Sequence, residues 1–336
     1  MELNKNKSIG RFLEGNAMVI LMVLVAIVVG ILRPNFISGA NFNNLSVNTA
    51  VRFIIALGVS GCLITKGTDL SAGRMVGIGA CVSATLLQKA DYTDKFFPGL
   101  GNLPIVAVLL IAVLICVVFG IINGCVISFL KVPPFIATLG MQTLIYGICL
   151  VYTGAKPIGG LRSDYTQIAN GKLLENTASP IQIPYLLIIA IVCGGLMYFL
   201  YNKTRHGKHM YAIGGNETAA EVSGINVGFR KILIYALAAA LYALAGFLLA
   251  AKSGGTSVNM GQGYELEAIA ACTIGGVSVN GGVGRVSGIL LGVLVFELLK
   301  ISLQFMGVET SYTYIVQGLV IVVAVALDLR KYLAKK

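Results

Sequence analysis

The chain has 336 residues, 57% of them hydrophobic and only 12% charged, with a mean hydropathy of +0.85 and a formal net charge of +11. A water-soluble fold carries roughly twice that share of charged residues, so a chain this long must set much of its surface against lipid. The Lys and Arg residues are scattered through loops rather than massed in one patch, which excludes a nucleic-acid interface and points to membrane orientation.

Ten apolar segments are predicted in chain order, most of them close to the roughly 20 residues that a helical crossing needs. The first, Ala17–Leu32, follows Lys5, Lys7 and Arg11. It reads as a retained span, because Arg33-Pro34-Asn35 offers no small-residue cleavage site. Leu45–Thr65, the Gly-rich Leu70–Leu87, Pro104–Leu130, Pro133–Tyr152 and Pro184–Tyr201 follow. Ile232–Ala251, the short Leu266–Asn280, Val286–Phe305 and Tyr314–Leu329 complete the set. The expected architecture is an all-α polytopic membrane protein, one transmembrane domain over residues 1–336. The third and eighth segments stand open: each is either a true span or a broken, re-entrant piece.

With the N-terminus inside, 15 Lys and Arg fall on the inner side and 7 on the outer, while Arg52, Arg74 and Lys300 lie within spans. This is the direction of the positive-inside rule. It places both termini, the segment 202–231 and the basic tail 329–336 in the cytoplasm. The Gly67–Gly73 stretch opens the third segment and Gly261–Glu267 opens the eighth from the opposite side. The two halves are therefore expected to be inverted pseudo-repeats, a frequent transporter plan.

The chain contains no G-x-x-x-x-G-K-[ST] loop, no H-E-x-x-H and no G-x-S-x-G. No catalytic, cofactor or metal site is expected. His206 and His209 are the only histidines and have no Cys or carboxylate at ligand spacing. The seven cysteines all sit in apolar runs and read as small buried hydrophobes. Charges at membrane depth are costly and must face protein, water or the interface. Glu297 and Lys300, three apart, can pair on one helix face. Asp69 can pair with Arg52 or Arg74 across helices, or cap the third segment through its backbone N–H groups.

Glycine is concentrated in Gly58–Gly79 and Gly254–Gly292. The run Gly275–Gly284 cannot form an ordinary helix. It is either irregular backbone lining a pathway or a plain cytoplasmic turn. The pathway or gate candidates are Asp69, Ser71, Arg74, Glu265, Glu267, Gly275 and Gly276. In the inner segment, Asn216 can cap a short helix with Glu217 in its first turn and Gly224 at its end. A short exposed helix on a cytoplasmic loop suits docking into a partner's groove.

Four stretches carry a resemblance: Lys66–Arg74, Pro133–Gly140, Ala212–Val227 and Glu265–Gly284. Together they resemble the permease subunits of bacterial ABC importers for sugars, of the ribose and galactose type. The run Val51–Val59, Thr68, Arg74 and Val323–Asp328 look most like the galactose/methyl-galactoside branch. The resemblance implies a homodimer of permeases in the bacterial inner membrane, among membrane lipid. It also implies a cytoplasmic ATPase subunit with two nucleotide-binding domains and a periplasmic sugar-binding protein. Ala212, Gly214, Gly215, Asn216, Ala219, Ala220, Ser223 and Gly224 would contact the ATPase. Readings left open are an ion-coupled secondary sugar transporter, with Asp69 or Glu297 as the coupling carboxylate, and an ABC permease for ribose or another monosaccharide.

Overall fold

The computed structural model describes residues 19–173 and 182–333. Residues 17 and 18 of the expected first span, Lys5, Lys7 and Arg11 before it, residues 174–181 of the outer loop and residues 334–336 of the basic tail lie outside them. The described residues form α1 (Val19–Leu32), α2 (Gly39–Ile64), α3 (Ala72–Leu86), α4 (Ile105–Ser128), α5 (Pro134–Thr153) and α6 (Ser163–Asn170). Strands β1 (Lys172–Leu173) and β2 (Ile183–Pro184) then pair antiparallel. After them come α7 (Tyr185–Lys203), α8 (Arg205–Gly215), α9 (Glu217–Val222), α10 (Val227–Ser253), α11 (Tyr264–Ile274), α12 (Val286–Phe305) and α13 (Thr310–Leu333).

Local chemistry sets most boundaries. Pro104, Pro133 and Pro184 sit immediately before α4, α5 and α7 with φ near −60° and extended ψ, the ring fixing the entry of each helix. Ser38 caps α2 by accepting the Asn41 N–H. Gly154 and Gly254 take left-handed φ of 60° and 68° and end α5 and α10.

Among the described residues, seven helices are long and apolar enough to cross a membrane: α2, α4, α5, α7, α10, α12 and α13. The third and eighth expected spans become α3, with 15 residues, and α11, with 11. At a 1.5 Å rise these reach about 22 and about 16 Å, short of a hydrocarbon core of about 30 Å. Helix α3 lies within two residues of its expected bounds, whereas Gly275 and Gly276 stop α11 six residues short of the expected Asn280. The long inner segment holds two helices, α8 as well as the expected α9.

Helix α10 is the centre of the fold, packed on α2, α3 and α4. Gly120 and Gly124, one turn apart on α4, bring that helix onto it. A Cβ on Gly120 would stand 2.6 Å from the Tyr235 carbonyl oxygen, and one on Gly124 2.6 Å from Ile232 Cα. The outward faces are apolar. Leu110 and Leu114 on α4 and Ile315 and Leu319 on α13 are all more than 60% exposed, a surface suited to lipid or to another membrane protein.

The two ends of the bundle are closed differently. At one end the backbones of Gln88 and Leu161, and of Ile158 and Thr256, form β-bridges joining the loops after α3, α5 and α10. At the other end α2 stops against α8 and the loop after α11. The Gly282 N–H donates to the Ile64 carbonyl (2.8 Å).

Candidate functional site

The chain breaks its helical run between Ile64 and Ala72. Lys66 adopts φ 60°, and the Lys66 and Gly67 N–H groups fold back to the Leu63 and Cys62 carbonyls. The freed segment hangs between α4 and α5. Thr138 Oγ1 accepts the Leu70 N–H (3.1 Å), and Asn123 Nδ2 donates to Ser71 Oγ (3.0 Å). Asp69 Oδ1 receives both the Ser71 N–H (3.0 Å) and the Ser71 hydroxyl (2.5 Å). Asp69 therefore closes a turn onto Ser71, the residue before α3, and accepts no N–H of the helix itself. It pairs with neither arginine.

Arg74 instead donates to the Val258 carbonyl (3.0 Å) and lies 4.1 Å over the Tyr146 ring. Glu265 packs against Gly73, where any Cβ would collide with Glu265 Oε2 and the Gly261 carbonyl. The starts of α3 and α11 therefore meet, and the structure brings Asp69, Ser71, Arg74 and Glu265 into one region.

Glu267 belongs to a second cluster. Arg52 on α2 donates through Nε to Glu267 Oε2 (2.9 Å) and stands 2.7 Å from Glu297 Oε1 on α12. Glu297 Oε1 accepts no hydrogen bond, so the shorter contact is an ion pair off the N–H direction. Lys300 reaches Glu267 at 3.0 Å and Glu297 only at 3.8 Å. The expected Glu297–Lys300 pair exists but is the weaker contact. Both charges turn toward other helices, because Glu267 projects from α11 between them. The Arg52 guanidinium also sits 5.0 Å over Tyr264. Arg52, Tyr264 and Glu267 border a crevice of about 10 Å³, room for one water. A single charge buried in such a place costs several kcal/mol unless paired, so the four charges are mutually required.

The third region lies at the end of the bundle that carries α8 and α9. Gly275 and Gly276 end α11, and the glycine run that follows lies on α8 rather than along the bundle core. Tyr211 Oη donates to the Gly284 carbonyl (2.8 Å), and Lys66 Nζ donates to the Gly215 carbonyl (3.3 Å). A Cβ on Gly214 would strike the Ile64 carbonyl. The run is thus a turn interleaved with the candidate docking segment. Gly275 itself packs on Gly288, where a Cβ would collide with the Gly288 carbonyl.

Asn216 caps α9 as expected, its side chain accepting the Ala219 N–H (3.0 Å), and Gly224 follows with φ 84°. Ala212, Gly215, Asn216, Ala219, Ser223 and Gly224 are exposed, whereas Gly214 and Ala220 face inward. Ala220 packs with Ile213 and Val227, and Val222 is left 85% exposed. Lys231 holds Glu217 at 2.8 Å. Burial pushes the His206 imidazole on α8 below its usual range, helped by the neighbouring Arg230 guanidinium and His209 ring.

The sequence flagged Arg52, Glu297 and Lys300 as charges in spans and paired Glu297 with Lys300, but it did not place Glu267 as the partner of Arg52 and Lys300. It gave no signal for Asn123, Tyr235 and Tyr242 beyond a polar group in an apolar helix.

Residues 41–325 match the family described as branched-chain amino acid transport system / permease component. The chain is 44% identical to the galactose/methyl galactoside import permease protein MglC of Escherichia coli (strain K12), over 99% of both chains. It is 42% identical to the protein of the same name from Haemophilus influenzae, again over 99% of both. It is 37% identical to the ribose import permease protein RbsC of Bacillus subtilis, over 92% of this chain and 91% of that protein. No solved structure matches it.

Proposed function

Because the chain belongs to the branched-chain amino acid transport system / permease component family, we propose that it is the membrane subunit of an ATP-driven importer that passes galactose or methyl galactoside across the bacterial inner membrane. The observation that carries this reading is the short helix α9 with Val222 85% exposed, standing on α8, whose end packs on the carbonyl of the last residue of α2. An apolar residue displayed on an otherwise polar cytoplasmic loop is a docking feature, and its base touches the place where α2 breaks. A push on α9 is thereby transmitted to the segment carrying Asp69 and Ser71.

In this reading the partner on the inner face is an ATPase chain with two nucleotide-binding domains. A periplasmic sugar-binding protein delivers substrate to the other face, and two copies of the permease enclose the path among membrane lipid. The coupling contacts are Ala212, Gly215, Asn216, Ala219, Ser223, Gly224 and Val222, with Gly214 and Ala220 as their buried support. The path runs beside Asp69, Ser71, Arg74, Glu265 and Glu267, and Gly275 and Gly276 join α11 to the inner turn.

Both termini are cytoplasmic, as the Lys and Arg asymmetry requires. About ten segments cross or enter the membrane, with α3 and α11 as matched broken elements of two inverted repeats. Support for that matching comes from their shortness and from the contact between their first turns at Gly73 and Glu265. Co-purification tests the partnership. The tagged chain should bring down a double ATPase, and Val222→Glu should lose it while the chain remains inserted. Retention of the ATPase by that variant would remove the docking role.

A further inference from the structure

Four buried polar atoms without hydrogen-bond partners surround the break between α2 and α3: Asp69 Oδ2, Asn123 Oδ1, Tyr235 Oη and Tyr242 Oη. None of the four residues is more than 2% exposed. Native interiors rarely leave such atoms unsatisfied, and a group of four at one place calls for an explanation. The position is built for approach. A Cβ on Gly67 would stand 2.5 Å from Tyr235 Oη, and one on Gly58 2.6 Å from the Tyr242 ring, so two glycines admit the two phenols to the backbone. Tyr242 Oη neighbours the Asp69 carboxylate. Asn123 spends its amide hydrogen on Ser71 Oγ and keeps its carbonyl oxygen free.

The four atoms are all oxygen, the donor set of a hard cation. The charge balance is also one-sided. Lys66, the cation nearest in sequence, donates to the Gly215 carbonyl, and Arg74 points to Val258 and Tyr146. The titratable groups facing Asp69 are Cys62 on α2 and Tyr235 and Tyr242 on α10, none of them cationic. Helices α4 and α5 offer uncharged Asn123 and Thr138, and Glu265 on α11 packs at Gly73 beside Arg74. Water could satisfy the hydrogen bonds, but it would leave a carboxylate uncompensated at membrane depth.

We propose that Asp69, Asn123, Tyr235 and Tyr242 form a site for one small monovalent cation, a sodium ion or a proton, which neutralises Asp69 and pins the unwound segment between α2 and α3. One carboxylate balances one positive charge, which sets the valence. The site lies inside a single copy of the chain and needs no sugar or ATPase, so it stands apart from the import reading.

The test is the melting temperature of the full chain in lipid nanodiscs, in sodium chloride against N-methylglucamine chloride at fixed ionic strength, over a range of pH. If sodium is the ligand, the melting temperature climbs with the logarithm of sodium concentration. If the proton is the ligand, sodium has no effect and the melting temperature falls as pH rises. In either case Asp69→Asn is as stable as the loaded wild type and has lost the response. Should Asp69→Asn not insert, Tyr242→Phe keeps the carboxylate and removes one oxygen. It should move the sodium midpoint about tenfold upward, or displace the pH midpoint by about one unit. A wild type that responds to neither cation, or a response equal in wild type and both variants, overturns the site.

Discussion

Arg52 on α2 and Glu297 on α12 lie 2.7 Å apart, and Glu267 of α11 accepts the Arg52 Nε–H that Glu297 does not. One guanidinium therefore ties α2 to the far-off α11 and α12, with Lys300 as the second cation of the cluster. Arg52→Gln should destabilise the chain by about 3–5 kcal/mol, because Glu297, 2% exposed, is left without its closest cation. Arg52→Met with Glu297→Leu should recover most of that loss, since an apolar pair of similar volume carries no desolvation cost. Denaturant or thermal unfolding in detergent measures both. A double variant as unstable as the single one would mean that the pair is not the source of the effect.

Adjacent glycines on α8 should behave in opposite ways. A Cβ on Gly214 meets the Ile64 carbonyl and, at 2.5 Å, the Gly282 nitrogen, both backbone atoms that cannot swing aside. Gly214→Ala should cost about 1–3 kcal/mol. Gly215 has open space around its Cβ position, so Gly215→Ala should change stability by less than about 0.5 kcal/mol. The melting temperatures of the two variants, compared side by side, check the interleaving of α8 with the Gly275–Gly284 turn.

On α9, the inward and outward residues separate stability from coupling. Val222→Glu should leave the melting temperature unchanged and abolish stimulation of the partner ATPase. Ala220→Glu should lower the melting temperature, because Ala220 packs against Ile213 and Val227. Equal ATPase stimulation in Val222→Glu and wild type would exclude α9 as the contact.

His206 gives the inner segment a pH dependence. Its folded-state imidazole is held below the unfolded value of about 6.5 by burial, then by Arg230 and His209. The unfolded chain therefore binds the proton more readily. The stability from this group is complete above about pH 6.5 and declines as pH falls below it. His206→Gln should flatten that slope in melting curves recorded from pH 7.5 to 5, and an unchanged slope would assign it elsewhere.

Segment boundaries were legible because they rest on local signals. Pro104, Pro133 and Pro184 mark helix starts, Asn216 marks the cap of α9, and Val286–Phe305 is found as read. The extent of α3 was legible to within two residues, but the end of α11 was not. Its apolar run continues into glycine-rich backbone, and hydropathy does not register where the helix stops. Nor could the sequence pair Arg52 with Glu267, 215 residues away, or gather Asn123, Tyr235 and Tyr242 around Asp69. Such partners are fixed by close helix approach at Gly58, Gly67, Gly120 and Gly124, which emerges only from packing.

The most direct test of the account is uptake of labelled galactose into proteoliposomes holding the chain with its partner ATPase and, outside, the sugar-binding protein. Accumulation should require all three components together with ATP enclosed in the lumen, and should persist when proton and sodium gradients are collapsed. Accumulation by the chain alone under an ion gradient would contradict it.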